Sequence, residues 1–376
     1  MKWLNDSKIS MVLFVFVAAI VLGGSANADF TFGEPVNLGP VVNGSLRQSY
    51  PSLSADGLLL YFVSQQIDGQ DKGDLWITTR ETTEDPWGTP LNLGPKVNSP
   101  EDDWAPHISA DGLELYFVSR RPGGDVNGRD DIWVARRASL SDEWGTPVNL
   151  GPTINTDNWD TTPCLSQDGL TLYFTSGQHN EYHGWVATDL YMSHREAKDT
   201  PWDPSVNMGP VINDYSFDYD PAISPDGLML LFSSDRGVPS DNSDYTESGW
   251  FDLWMTSRAS IESEWNPPVK IGAPINSEAG DWSPSISRDG RTLFFASERS
   301  GGYSSLDIWQ APIIPIVNLN SDGIVDASDM CIVLDHWGED YPLCDVGPMP
   351  WGDGIVDVQD LIVLAEHLFE ETTPVE

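Results

Sequence analysis

Three things are scarce in this chain of 376 residues: cysteine, positive charge and long apolar runs. Three cysteines in so long a chain exclude a disulfide scaffold. Nineteen Lys and Arg stand against 58 Asp and Glu, a formal charge of −39. Nucleic acids and anionic lipids bind through clustered cations, so such a field excludes them as partners and favours cations. The one extended apolar run, Met11 to Leu22, is too short for a bilayer core of roughly 30 Å. Lys2 and Lys8 precede it and Ala26-Asn27-Ala28 follows. That order reads as an export signal over residues 1–28, with cleavage before Asp29 and a secreted or periplasmic destination, cell-surface attachment included.

What the chain has in abundance is self-similarity. SADGLLLYFVS begins at Ser54, SADGLELYFVS at Ser109 and SQDGLTLYFTS at Ser166; SPDGLMLLFSS begins at Ser224 and SRDGRTLFFAS at Ser287. Asp-Gly between alternating apolar runs marks a tight hairpin, because the turn needs positive φ. A third strand recurs from Asp74, Asp131, Asp189, Asp252 and Asp307, and a fourth is expected around Trp87, Trp144, Trp202 and Trp265. Four strands per repeat and five repeats predict an all-β, five-bladed propeller over residues 29–312. The fifth repeat lacks its fourth strand, but the segment from Phe32 to Pro40 matches that from Trp144 to Pro152. The N-terminal strand is therefore expected to complete the last blade and close the ring.

The SxDGxxLYFxS hairpin, the loops Arg121-Pro122-Gly123-Gly124 and Arg299-Ser300-Gly301-Gly302 and the DIW strand together resemble the WD40-like (PD40) repeat of bacterial envelope proteins. That is the repeat type of TolB-like propellers. Repeats one and three depart from it, with Gln65-Gln66 and Gly177-Gln178 in place of the Arg.

After a linker at 313–317, residues 318–376 carry two calcium-loop patterns. In the first, Asn318, Asn320, Asp322, Asp326 and Asp329 supply oxygen at loop positions 1, 3, 5, 9 and 12, with Gly323 at 6 and the carbonyl of Ile324 at 7. The second has Asp353, Ile355, Asp357 and Asp360, but Met349 and Trp351 stand at its first two ligand positions. Paired loop-helix units ending in Asp resemble a dockerin, an EF-hand-like module. The resemblance implies Ca²⁺ as cofactor and a cohesin-like scaffold protein as partner, with Ala327-Ser328 and Val358-Gln359 at the partner-selecting positions. Cys331 and Cys344 are close enough in sequence to pair.

The segments entering the innermost strands carry Asp103, Asp160, Asp218 and Asp281, with Gln48 in repeat one. Tyr50, Trp104, Trp159, Tyr219 and Trp282 lie beside them. Two placements are open. Either the acids surround the axis as a ligand site, or each caps its own inter-blade turn. Asp220 breaks the pattern as an extra acid. His179, Glu181 and His183 form a second, weaker metal candidate. The expected function is non-catalytic binding of protein or glycan at the axial face. The alternative is a carbohydrate-active enzyme, a glycoside hydrolase or polysaccharide lyase working through those acids, which needs two carboxylates in unlike surroundings.

Overall fold

The computed structural model describes residues 30–65, 72–124, 129–180, 184–237, 251–315, 319, 324–338, 344, 346 and 355–369. The expected export signal, Asn318, Asn320, Asp322, Asp353, Glu181 and His183 lie outside them, as does the side chain of His179.

Five antiparallel sheets form the propeller, four of them running outward in chain order and the fifth taking its outer strand from the N-terminus. Blade two is representative: Asp103–Ile108 innermost, then Glu114–Ser119, Asp131–Arg136 and the two-residue outer strand Val148–Asn149. Each inner strand packs against the inner strands of both neighbouring blades, so the five make a closed ring. The Asp-Gly hairpins carry the turn as their sequence requires. Gly112 sits at φ 70°, while Asp111 accepts the Ser109 hydroxyl at 2.7 Å and the Leu113 amide at 3.0 Å.

The middle strands are buried on both faces. Leu115, Tyr116, Phe117 and Val118 are wholly inaccessible; Leu115 and Phe117 pack with Trp133 and Trp144 on one side, and Tyr116 with Leu172, Phe174 and Trp202 on the other. The expected fourth-strand tryptophans precede the outer strand rather than starting it. Arg80, Arg137, Arg195 and Arg258 stack over Trp87, Trp144, Trp202 and Trp265 at 4.3–4.4 Å. The outer strands shrink to two residues, which leaves little open sheet edge.

Closure follows the expected route and goes further. Val36 and Asn37 pair with Gln310 and Trp309, completing blade five. Phe30, Thr31 and Phe32 then pair with Pro315, Ile314 and Ile313. The expected linker at 313–317 is therefore corrected at its start. Phe30 and Ile313 are both buried, and burying that apolar pair extends the strand Asp307–Pro315 past the predicted boundary.

Two short helices follow, α1 (Ala327–Asp335) and α2 (Val358–Glu366). They are related by an offset of 31 residues. Gly338 donates to the Val356 carbonyl and Phe369 to the Val325 carbonyl, each at 2.8 Å. Val325, Val333, Val356, Val363 and Leu364 form their shared core. Cys331 is a free, exposed thiol, whereas Cys344 lies in that core. No helix among the described residues is long and apolar enough to cross a membrane.

Candidate functional site

Every inner strand carries a bulge at one position, immediately before its proline. The residues there are Tyr50, Ala105, Thr162, Asp220 and Ser283, at φ between 48° and 56°. A positive φ at a non-glycine residue costs on the order of 1–3 kcal/mol and persists only where the surroundings impose it. Here it occurs five times in a ring. All five residues, with their prolines and His107, line a narrow axial cavity of about 70 Å³.

Asp220 supplies the only carboxylate in that lining. Its Oδ2 accepts the Ser233 hydroxyl at 3.0 Å, the Ser283 amide at 3.1 Å and the Ser283 hydroxyl at 3.3 Å. Its Oδ1 is buried with no hydrogen-bond partner. Burial pushes the Asp220 carboxyl up to about 6, against those three donors. The neighbouring Tyr50 phenol is raised by burial and by the Asp220 charge. His107 Nε2 accepts the Leu165 amide at 3.0 Å. Burial, and then the Arg288 charge, lower this imidazole to about 4, so it is neutral near pH 7.

The two ends of the cavity differ. On the hairpin side, Arg288 of blade five donates to the Gln167 carbonyl of blade three at 3.1 Å, a strap across the axis. On the other side the cavity widens into a cleft of about 390 Å³, and the two spaces share Tyr50 and Ser283. Arg47, Gln65, Asp102, Trp104 and Trp282 line that mouth. Three aromatic rings, Tyr50, Trp104 and Trp282, stand among them. Tyr50 and Trp104 lie 5.3 Å apart, and Trp282 stacks on Phe251 at 4.2 Å. Phe251 in turn meets Tyr219 at 5.9 Å. Trp104 Nε1 donates to Asp130 at 3.2 Å, whereas Trp282 Nε1 is buried with no partner.

Asp103, Asp160, Asp218 and Asp281 do not surround the axis. Each is fully buried where its inner strand begins, and each accepts the amide four residues earlier: Ser99, Thr156, Asp214 and Ser277. Arg121, Arg236 and Arg299 ion-pair with Asp103, Asp218 and Asp281 at 2.5–2.8 Å. The turn-capping placement therefore holds, because the amides and guanidinium satisfy the carboxylate inside its own blade. Asp160 has no such arginine, and burial pushes it up to about 6. Of the expected ligand residues, only Trp104, Asp220 and Trp282 reach the axial site.

The sequence places Tyr50 beside the inner-strand acids, but nothing in it singles out Phe251 as a ring partner. The signal for the lining was present in the residue before each inner-strand proline. Sequence reasoning also passed over Asn43, Asn98, Asn155, Asn213 and Asn276. Each bonds both amide and carbonyl of one third-strand residue, as Asn98 does with Leu75 at 2.9 and 3.0 Å.

In the C-terminal module the described half of each calcium pattern is built alike. Asp326 and Asp357 cap α1 and α2, with Asp329 and Asp360 closing each capping box. Asp329 and Asp360 are fully buried. Among the described residues no group of three or more His, Cys, Asp or Glu side chains converges on a metal position. Ile324 and Ile355 are described and exposed, whereas Asn318, Asn320, Asp322 and Asp353 lie outside those residues.

The fold and the site define a five-bladed propeller with an aromatic-mouthed axial well. No family model matches the chain, and no curated protein matches it in sequence. Similar solved structures include TolB from Acinetobacter baumannii, 12% identical over 77% of this chain and 64% of that one, with a TM-score of 0.40. An α-L-arabinofuranosidase from Podospora anserina is 14% identical over 76% and 98% of the two chains, TM-score 0.47. One from Lactobacillus brevis is 16% identical over 74% and 94%, TM-score 0.47. The blade count rests on the strand pairing and not on these likenesses.

Proposed function

We propose that this chain is an exported, non-catalytic propeller that binds a protein or glycan at its aromatic mouth, held to a cohesin-like scaffold by its C-terminal module. The observation that carries the binding reading is the cleft lined by Tyr50, Trp104 and Trp282 over the narrow axial well. Its volume falls within the range of about 300–1,000 Å³ usual for ligand sites. Large rings supply affinity, and the polar side chains Arg47, Gln65 and Asp102 beside them supply orientation.

The enzymatic alternative asks for two carboxylates flanking an open substrate position. Among the described residues Asp220 lines the well, held by Ser233 and Ser283, and Asp102 lines the mouth. The four repeated acids are spent on turns. The carbohydrate-active alternative is supported as well as the binding reading, and the turnover assay below separates the two.

The anchor is supported by the duplicated loop-helix pair. Carboxylate and carbonyl oxygens suit Ca²⁺. Asn318, Asn320, Asp322, Asp326, Asp329 and the Ile324 carbonyl would hold the first ion; Asp353, Ile355, Asp357 and Asp360 belong to the second. Its charge would offset the buried carboxylates and couple folding of the module to metal. Leu334, Trp337, Val358, Ile362 and Phe369 are exposed, an apolar surface suited to a protein partner.

Two measurements test the proposal. A glycan array and a proteome-derived peptide library are screened with the full chain and with Trp282→Ala. Binding that survives Trp282→Ala, or substrate turnover lost in Asp220→Asn, would defeat the mouth-binding reading. For the anchor, chelation is expected to abolish α1 and α2 helicity; an unchanged circular dichroism spectrum refutes it.

A further inference from the structure

The buried Asp220 Oδ1 is unexplained by anything in the protein. A carboxylate oxygen taken out of water without a donor costs free energy. Asp160 Oδ1 and Asp226 Oδ2 share that state, but of the three acids it is Asp220 that lines the axial cavity. The other oxygen has three donors, so the side chain is fixed rather than searching for a partner. A donor from outside would satisfy it, and the mouth is the wider approach, because the hairpin side leads only to a pocket of about 50 Å³ bordered by the Arg288–Gln167 strap. The route passes Tyr50, which borders both the mouth and the well, with Trp104 and Trp282 at the entrance.

A visitor suited to this path is a cation on a slender stem. Aromatic faces attract cations, and most strongly where water is excluded. The well of about 70 Å³ has room for two water-sized groups, the size of an ammonium head and the methylene that carries it. A guanidinium is broader. A bare metal ion would need several more oxygen or nitrogen ligands than one carboxylate supplies, and no three-ligand group exists among the described residues. The charge of −39 steers cationic partners toward the protein.

We propose that the axial well receives the lysine side chain of a partner polypeptide, its primary ammonium passing Tyr50, Trp104 and Trp282 to donate to Asp220 Oδ1. This deepens the mouth-binding reading and rests on it. Arg288, beyond His107, limits the depth, because its positive charge repels a cation that goes past Asp220. His107 is neutral and adds no repulsion. Arg47 at the rim is engaged with Glu298 at 3.5 Å.

The test is titration of the full chain with Nα-acetyl-lysine methylamide, followed by nuclear magnetic resonance of the tryptophan indoles. Nε-acetylated lysine methylamide and 1,5-diaminopentane are run in parallel. The lysine amide is expected to shift the Trp282 indole signal. Acetylation of the ε-amine and Asp220→Asn are each expected to weaken binding about tenfold or more. Equal binding of the acetylated probe, full binding by Asp220→Asn, or no shift with the lysine amide overturns the proposal. Tighter binding of diaminopentane than of a lysine-containing pentapeptide overturns the polypeptide source. The acetylation comparison uses unaltered protein, so the outcome stands even if Asp220→Asn fails to fold. A ligand lost in Trp282→Ala yet indifferent to Asp220→Asn would refute the ammonium role and leave mouth binding intact.

Discussion

Arg195 of blade three donates to Glu114 of blade two at 2.6 Å, with the guanidinium side chain 0% and the carboxylate side chain 7% exposed. Arg136 reaches the other Glu114 oxygen at 2.7 Å. Burial pushes Glu114 up, but hydrogen bonds and charge from the two arginines outweigh it and hold the carboxyl below its usual value. Its contribution is therefore present above the ordinary carboxylate range and is lost as pH falls through the folded value. Glu114→Gln leaves Arg195 buried without its counter-charge and is expected to cost about 3 kcal/mol by denaturant unfolding. An unchanged midpoint would show that the pair does not join the blades.

Matched substitutions separate the repeated acids. Asp103→Asn removes the partner of Arg121 and is expected to lower stability by about 2 kcal/mol. Asp160→Asn removes a buried charge that has no arginine, while an amide oxygen still accepts from Thr156. Thermal melting at pH 7 should be unchanged or higher for Asp160→Asn and lower for Asp103→Asn. The reverse order would contradict the assigned roles.

Asp160, Asp218 and Asp220 are each pushed up to about 6, by burial above all. Their folded pKa values exceed the ordinary 3.8, so the folded state binds more protons between those limits. Stability should therefore decline as pH rises from about 4 to 6 and level off above. Melting temperatures at pH 5 and pH 7.5 check the sign. The difference should shrink in the double variant Asp160→Asn/Asp220→Asn; an undiminished difference would assign it to general charge repulsion instead.

Deleting residues 30–40 removes both N-terminal strands of blade five and the Asn37–Asp307 hydrogen bond at 2.9 Å. The melting temperature should fall by at least about 5 °C. An equal melting temperature would mean that the ring does not depend on this closure.

The blades were legible because Asp-Gly turns and alternating apolar residues are local signals repeated five times. The N-terminal closure was legible for the same reason, through the match between Phe32–Pro40 and Trp144–Pro152. The fate of Asp103, Asp218 and Asp281 was not, because it turns on arginines 18 residues away in sequence. Whether an acid meets the axis or its own turn depends on which side of the inner strand it falls. The bulge shifts that register by a step that no periodicity reveals. Asp220 was noticed as an extra acid, but its unshared oxygen is a matter of packing alone.

The ring of residues before the five inner-strand prolines separates scaffold from selectivity. Each points inward from a backbone kink that recurs whatever side chain it bears: Tyr, Ala, Thr, Asp or Ser. Exchanging these five letters would rewrite the chemistry of the axis while leaving the apolar cores between the hairpins in place, so propellers of this build are able to change guests while keeping their architecture.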